Sequence, residues 1–385
     1  MQKKIIALAI AAAFSAPAFA DTTVYGLVDA AVAHVSADGQ KSDTLAVSGG
    51  LSTSRLGVKS VQDAGDMKIV AVLEYQLAAQ TGATVGTNEF SFSTGARQQM
   101  LALAGGFGTF ATGYLQTTGY DFAVKFDPTA GSTVSPLGNV TKGGGFLIGT
   151  VAGAARAQRA LAYISPDLGG VTVAVNYSTA LAGLGNLTVP NSTSVDSKST
   201  AYLLSATYNG GPLSVGAVYV GASAGTSYLA ALGTETSTLS ATEYALGASY
   251  DLTVVKLFAT YQATKTGTNN VVTKATDNKA YSFSAVAPVG PGAIAFSYAK
   301  NKVDATGTVA TLSHVGTGTD QAANGMTLAW LQGLSKTTTF YAAYTKMSQG
   351  ANTRSYSVIN DNLAAASLTA GGSSSMIAVG LQNKF

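Results

Sequence analysis

The side chains able to do chemistry are few, and nearly all are fixed charges. Arginine and lysine number 22, aspartate and glutamate 19, histidine two and cysteine none, in 385 residues. A hydrolytic triad needs a base beside its nucleophile, and histidine is the commonest base. His34 and His314 stand alone, in or near polar stretches. Nor is there a His or Cys set at metal-ligand spacing. The clusters Gly183-Leu184-Gly185 and Gly105-Gly106-Phe107-Gly108 lack the Lys-Ser/Thr or strand–helix setting of a phosphate cradle. Catalysis and a cofactor are not expected. Nucleic acid is not an expected partner either, since the net charge of +3 falls to +1 without Lys3 and Lys4 and no basic patch is visible. What these charges can do is sort ions. Arg55, Lys59, Arg97, Arg156 and Arg159 stand against Glu74, with Asp121, Lys125 and Asp127 in one long polar segment.

Sorting requires water around the charges and a wall to hold them. Arg55 and Lys59 lie on one side of an extended segment, and Leu56 and Val58 lie on the other. The same period of two recurs along the chain. Ile69, Leu73 and Tyr75 oppose Lys68, Glu74 and Gln76, and Val171, Val173, Val175 and Tyr177 oppose Thr172, Asn176 and Ser178. Short Gly/Pro/Asn/Asp turns fall at 62–66, 104–108, 166–170, 209–212, 250–252, 288–292 and 333–336. Long polar loops fall near 36–50, 80–89, 116–155, 180–198, 222–240, 264–277, 302–322 and 348–371. Seven turns and eight loops imply about sixteen antiparallel strands, with short turns on one rim and long loops on the other.

Composition places this wall in a membrane. Charged residues make up 11% and hydrophobic residues 46%, against about a quarter charged in soluble domains. Yet mean hydropathy is only +0.24, as expected when apolar residues are scattered at alternate positions. No uninterrupted apolar run of about eighteen residues follows the N-terminus. Residues 1–20 read as a cleaved export signal, with Lys3 and Lys4 before an apolar stretch and Ala18-Phe19-Ala20 at its end. Residues 21–385 then form one all-β unit, a 16-stranded antiparallel transmembrane β-barrel around a water-filled lumen. No second apolar set is evident to fill a core. The last strand carries Ile377, Val379, Leu381 and Phe385 on one face, and it should pair with residues 22–35 to close the sheet. The 116–155 loop is too long for a connector, which makes it the natural constriction, pinned to the wall by Phe122, Phe126 and Phe146. A wall arginine facing lipid near the midplane would cost roughly 2–4 kcal/mol, so Arg55, Arg97 and Arg156 or Arg159 should face water. The balance predicts a mild anion preference.

Several segments resemble the trimeric Gram-negative porins, in the branch common among beta-proteobacteria. Val24-Tyr25-Gly26-Leu27-Val28-Asp29 is similar to their opening strand, and Ser54-Arg55-Leu56-Gly57-Val58-Lys59 with Asp63 and Gly65 to their second strand and turn. Leu73-Glu74, Arg97-Gln98, Gly105-Gly106-Phe107-Gly108-Thr109, Arg156 and Tyr163-Ile164-Ser165-Pro166 continue the likeness, and Val379-Gly380-Leu381 with Lys384 and Phe385 completes it. The resemblance implies a homotrimer with an inward-folded third loop, embedded in outer-membrane lipid and lipopolysaccharide. It also implies passive diffusion of small hydrophilic solutes and ions, and Phe385 as the residue read by the barrel-assembly machinery. Four positions depart from the family: Tyr114 replaces a usual arginine, Arg159 a usual asparagine, and Gln382-Asn383 a usual Arg-His pair. The aromatics Tyr114, Tyr120, Phe122 and Phe126 leave a second reading open, a channel specific for a sugar or organic acid.

Overall fold

A computed structural model describes residues 20–77, 95–142, 146–150, 155–181, 199–226, 237–268, 276–303, 322–351, 358 and 369–385. The export signal up to residue 19, the loop near 80–89, His314 and the 183–185 glycines lie outside these residues. The strands are β1 (Ala20–Ala37), β2 (Asp43–Ser48), β3 (Arg55–Ala64), β4 (Met67–Gln76), β5 (Ala96–Gly105), β6 (Gly108–Gln116), β7 (Arg156–Ile164), β8 (Val171–Leu181) and β9 (Ser199–Gly210). They continue as β10 (Leu213–Thr226), β11 (Ser237–Asp251), β12 (Lys256–Thr268), β13 (Thr276–Val289), β14 (Gly292–Lys302), β15 (Ala323–Gly333), β16 (Thr338–Gln349) and β17 (Ser373–Lys384). Every pairing in the sheet is antiparallel, and all seven expected short turns join neighbouring strands.

The sheet closes on itself. β1 pairs with β17 from Leu27 opposite Lys384 to Ala37 opposite Ser374. Gly26 and Phe385 exchange both backbone hydrogen bonds, at 2.9 and 3.1 Å. Gly26 is required there because a Cβ would lie 2.3 Å from the Phe385 ring, which covers it. The other edge of β1 meets β2 along Ala30–Val35 and β3 along Ala20–Leu27, so β2 and β3 share one position and seventeen strands make a sixteen-position barrel. Here the structure corrects the sequence reading, for the 36–50 stretch contains strand β2. The loops near 222–240 and 264–277 are likewise shorter than expected, since β10 runs to Thr226, β11 starts at Ser237 and β12 runs to Thr268. Their Ser and Thr residues are compatible with a pleated wall, threonine being β-branched.

The alternation separates two faces. On β17, Ile377, Val379 and Leu381 are about half exposed, whereas Met376 and Ala378 are almost fully buried. Val24, Val28 and Val32 on β1, Leu101 on β5, Leu161 on β7, Leu246 on β11 and Leu328 on β15 extend this apolar exterior. A contiguous surface of that kind matches lipid and does not match water. No described helix is long and apolar enough to cross a membrane. The strands form the crossing.

Inside, the wall is not uniformly wet, contrary to the expectation that no second apolar set exists. Two short helices, α1 (Thr118–Phe126) and α2 (Pro136–Thr141), pack against the faces opposite the apolar exterior. Thr117 and Ser135 cap them by accepting from the amides of Tyr120 at 3.2 Å and Gly138 at 2.9 Å. Phe122, Phe126, Leu147 and Ile148 bury against Leu203, Val218 and Val220; Val134, Leu137, Val140 and Phe146 bury against Met347, Met376 and wall alanines. All three expected phenylalanines thus pin the segment. Gly216 and Gly247 make room for Phe126, since a Cβ at either would lie 2.6 Å from its ring. Polar wall side chains satisfy the backbone of the segment, as buried polar groups require. Asn176 accepts from the Thr118 amide at 2.7 Å, Asn301 donates to the Val140 carbonyl at 2.7 Å and Thr327 donates to the Val134 carbonyl at 2.5 Å. Glu243 accepts from the amides of Leu147 and Ile148, and Gln262 donates to its Oε1 at 3.1 Å. The two helices make most of their contacts with the inner wall from β8 to β16.

Candidate functional site

A charged cluster forms between Tyr120 of α1 and side chains of β3, β4, β5 and β7. On β3, Gly57 leaves space for the Tyr25 ring, because a Cβ there would lie 2.3 Å from it. Tyr25 therefore reaches across and donates to Glu74 Oε2 at 3.0 Å. On β5 the pairing with β4 slips at Glu74 and Tyr75, so that Gln98 opposes Glu74 while Ala96 opposes Tyr75. Arg97 is the extra residue of this bulge, and bulges re-aim side chains. Its Nε donates to Glu74 Oε1 at 2.7 Å. Arg55 Nε lies 4.0 Å from Glu74 Oε2, and its Nη1 donates to Ser52 Oγ at 3.3 Å.

Arg156 opens β7 and completes the cluster. Its guanidinium lies 4.1 Å from the centroid of the Tyr120 ring, on α1, while its Nε donates to the Arg97 carbonyl at 2.9 Å. Arg97 Nη2 approaches the Tyr120 hydroxyl at 3.5 Å. Stacking on an aromatic face suits guanidinium and would not be reproduced by lysine. Arg55 and Arg97 thus share the Glu74 carboxylate and Arg156 stands beside them with Asp121, so that three arginines face two carboxylates, an excess of one positive charge. The field is visible in Tyr120. Burial raises its phenol, but Arg97 and Arg156 outweigh that and hold it below the ordinary phenol range. As pH rises toward that range Tyr120 ionises early and places a negative charge against the arginines. Anion preference is then expected to fall at alkaline pH, and to fall less in Tyr120→Phe. Reversal potentials recorded across an alkaline pH series check this; identical curves for the two proteins refute it.

Of the residues expected from sequence, Arg55, Glu74, Arg97 and Arg156 come together. Asp121 stands beside them on α1 and takes the Gln116 carboxamide. Lys59 shares the face of Arg55 but lies four residues along β3, outside the cluster. Lys125 lies outside the cluster and donates to Asn209 near the end of β9. Asp127 is corrected more sharply. It is 3% exposed and its carboxylate accepts from the Thr129 amide and hydroxyl and the Ser135 hydroxyl at 2.6 to 2.8 Å. It folds its own segment and does not line water. Burial pushes its carboxyl up, against those bonds. Arg159 occupies an irregularity in β7 with φ of 46°, exposed and skipped by the pairing with both neighbours. Two participants escaped sequence reasoning, Tyr25 and Ser52. Tyr25 shares its strand face with Asp29, opposite the exposed Val24 and Val28, so parity was the available signal.

A family model described as Gram-negative porin matches residues 7–352. Outer membrane porin protein 32 of Delftia acidovorans is 29% identical over 189 residues, 46% of this chain and 50% of that protein, so the alignment spans about half the length of this curated relative. Among solved structures, an anion-selective porin from Comamonas acidovorans superposes with a TM-score of 0.72 at 23% identity, covering 95% of this chain and 100% of the other. OmpT of Vibrio cholerae, in a trimer form, superposes with a TM-score of 0.63 at 16% identity, covering 95% and 99%. At these identities the superpositions speak for the shared fold alone. The family match extends over nine-tenths of the sequence, the barrel closes independently from β1 to β17, and the chain belongs to the Gram-negative porin family.

Proposed function

We propose that the chain is an outer-membrane channel for passive diffusion of small hydrophilic solutes and ions, mildly selective for anions and without enzymatic activity. The observation that carries this reading is the cluster in which Arg55 and Arg97 meet Glu74 while Arg156 stacks on Tyr120 of α1. Charged side chains at the narrowest point set ion selectivity, and three arginines against the two carboxylates Glu74 and Asp121 favour anions. On this reading residues 1–20 are removed on export and residues 21–385 form the barrel. The pore-lining set is then Arg55, Glu74, Arg97, Asp121 and Arg156, with Lys59 and Lys125 along the path. Assembly as a homotrimer is supported by the trimer form of a structural relative. Phe385, half exposed at the seam, suits recognition by the barrel-assembly machinery in a membrane of lipid and lipopolysaccharide.

General diffusion is favoured over a sugar- or acid-specific channel. A specific sugar channel needs an aromatic track facing the solute. Phe122 and Phe126 are instead turned into the wall, and Tyr120 is covered by Arg156. Conductance should therefore rise linearly with salt and resist saturation by any one solute. Reversal potentials across a salt gradient in a planar bilayer test the selectivity, and a clear cation preference overturns it. Arg55→Glu exchanges a positive for a negative charge at the cluster. It should move that potential toward cations, and an unmoved potential places Arg55 away from the narrow zone.

A further inference from the structure

Behind the arginines lies a carboxylate that water does not reach. Asp29 on β1 is 0% exposed. Its Oδ1 accepts from the Gly50 amide at 3.0 Å and the Tyr341 hydroxyl at 2.6 Å. Its Oδ2 accepts from the amides of Leu51 and Ser52 at 3.0 and 2.9 Å and from the Gln382 carboxamide at 3.2 Å. The backbone of the same residue receives the Gly49 amide at 3.0 Å and the Ser54 hydroxyl at 3.2 Å, and its own N–H donates to Ser54 Oγ at 2.9 Å. A buried carboxylate met by several N–H and O–H donors is held by charge-assisted bonds, which are shorter and stronger than neutral ones.

These bonds wrap residues 49–54 around one side chain, and that wrapping splits the second barrel position into β2 and β3. The turn demands glycine twice. Gly49 has φ of 85°, and a Cβ on Gly50 would lie 2.0 Å from the Tyr341 hydroxyl oxygen. From this turn two contacts enter the pore. Ser52 Oγ accepts from Arg55 Nη1 at 3.3 Å, and the Gly50 carbonyl accepts from the Thr133 hydroxyl of the inserted segment at 3.3 Å.

We propose that Asp29 is a positioning residue for ion selectivity, acting through the 49–54 turn to fix the Arg55 guanidinium against the constriction. The proposal rests on the channel reading above. A carboxylate that only closed the barrel seam would bind Tyr341 and Gln382 and leave the contribution of Arg55 unchanged. The distinction is measurable as a coupling between the two residues.

Reversal potentials are to be compared for the refolded full chain, Asp29→Asn, Arg55→Gln and the double variant, each confirmed as a heat-modifiable barrel. Asparagine retains one acceptor oxygen and turns an NH2 group toward amides that need an acceptor. Asp29→Asn should lose most of the anion preference that Arg55→Gln loses, and the double variant should lose no more than Arg55→Gln alone. Equal losses in both backgrounds, or no loss in Asp29→Asn, overturn the proposal. If Asp29→Asn does not fold, Ser52→Ala decides by the same comparison, because it removes the oxygen beside Arg55 and leaves the Asp29 bonds intact. A parent chain that does not conduct overturns the channel reading and this proposal together. Conduction with additive losses overturns only the role of Asp29.

Discussion

Phe126→Ala gives a channel with larger single-channel conductance, greater open-channel noise and weaker anion preference than the parent. Phe126 is fully buried, rests on Gly216 and Gly247, and packs against Phe122 with ring centroids 5.0 Å apart. Truncating such a ring to alanine costs about 3–5 kcal/mol when the site cannot collapse, and a gap against β-strand backbone collapses poorly. Phe126 is the most deeply buried side chain of α1, with Phe122 beside it and polar contacts from Lys125 to Asn209 and from Tyr120 to the arginines at its edges. Asn176 anchors its first turn, and Glu243 anchors the chain only from Leu147 onward. The loss therefore falls on α1, and with it on Tyr120, the platform under Arg156. The barrel survives, because its ladder hydrogen bonds run between strands and none depends on Phe126. Gly247→Ala provides an independent check with opposite chemistry, since its Cβ would lie 2.6 Å from Phe126 Cγ. Overfilling the gap should shift conductance and noise in the same direction as emptying it. Single-channel recordings decide, with heat-modifiable migration as the folding control. Parental conductance and noise in Phe126→Ala would mean that this contact does not hold the segment.

The outer architecture was legible because two solvents meet at the wall. A side-chain period of two records which face meets lipid, so Ile377, Val379 and Leu381 announced an outward face and Arg55 and Lys59 an inward one. The same logic found the wall arginines, for which the lipid side is expensive. It failed where a residue has no parity. Asp127 and Lys125 lie in the inserted segment, and nothing local says that one carboxylate turns into its own loop while the amine nearby reaches Asn209. It failed again where parity is broken, as at Arg159 in its irregular stretch of β7. The split second strand was hidden for a different reason. Asp29 draws two of its donors from Tyr341 and Gln382, more than three hundred residues away, and no local pattern encodes such a meeting. One signal was present and unread. Val215, Val218, Tyr219 and Val220 make β10 apolar on both faces, which a wall between lipid and water does not need. A wall between lipid and a buried helix does, and α1 lies on that wall.

Glu74→Gln tests the cluster itself, and it should raise anion preference by more than any other single change to the wall. Glu74 is the carboxylate that meets Arg97 at 2.7 Å, Arg55 at 4.0 Å and the Tyr25 hydroxyl at 3.0 Å. Glutamine keeps its shape and can still accept from Tyr25, so the variant removes charge and little else. Two consequences compete. The pore gains one net positive charge, which draws anions in and increases their flux. The arginines also lose the group that restrains them, and Arg55 and Arg97 then lean into the passage and narrow it. Removing one partner of a buried pair costs about 3–5 kcal/mol. Here the side chains keep some access to water, Arg97 at 11% and Arg55 at 25%, so the cost should sit at or below the low end and the barrel should remain folded. Salt separates the two consequences, because screening acts on charge and does not act on width. The Debye length is about 10 Å at 0.1 M and about 3 Å at 1 M. The gain in anion preference should therefore be large at 0.1 M and shrink at 1 M, while any loss of conductance from narrowing persists at 1 M. Arg97→Gln should move the low-salt potential in the opposite direction. If Glu74→Gln and Arg97→Gln both leave the reversal potential at its parental value in 0.1 M salt, the arginine cluster does not stand at the narrow point, and the anion preference must come from elsewhere along the lumen.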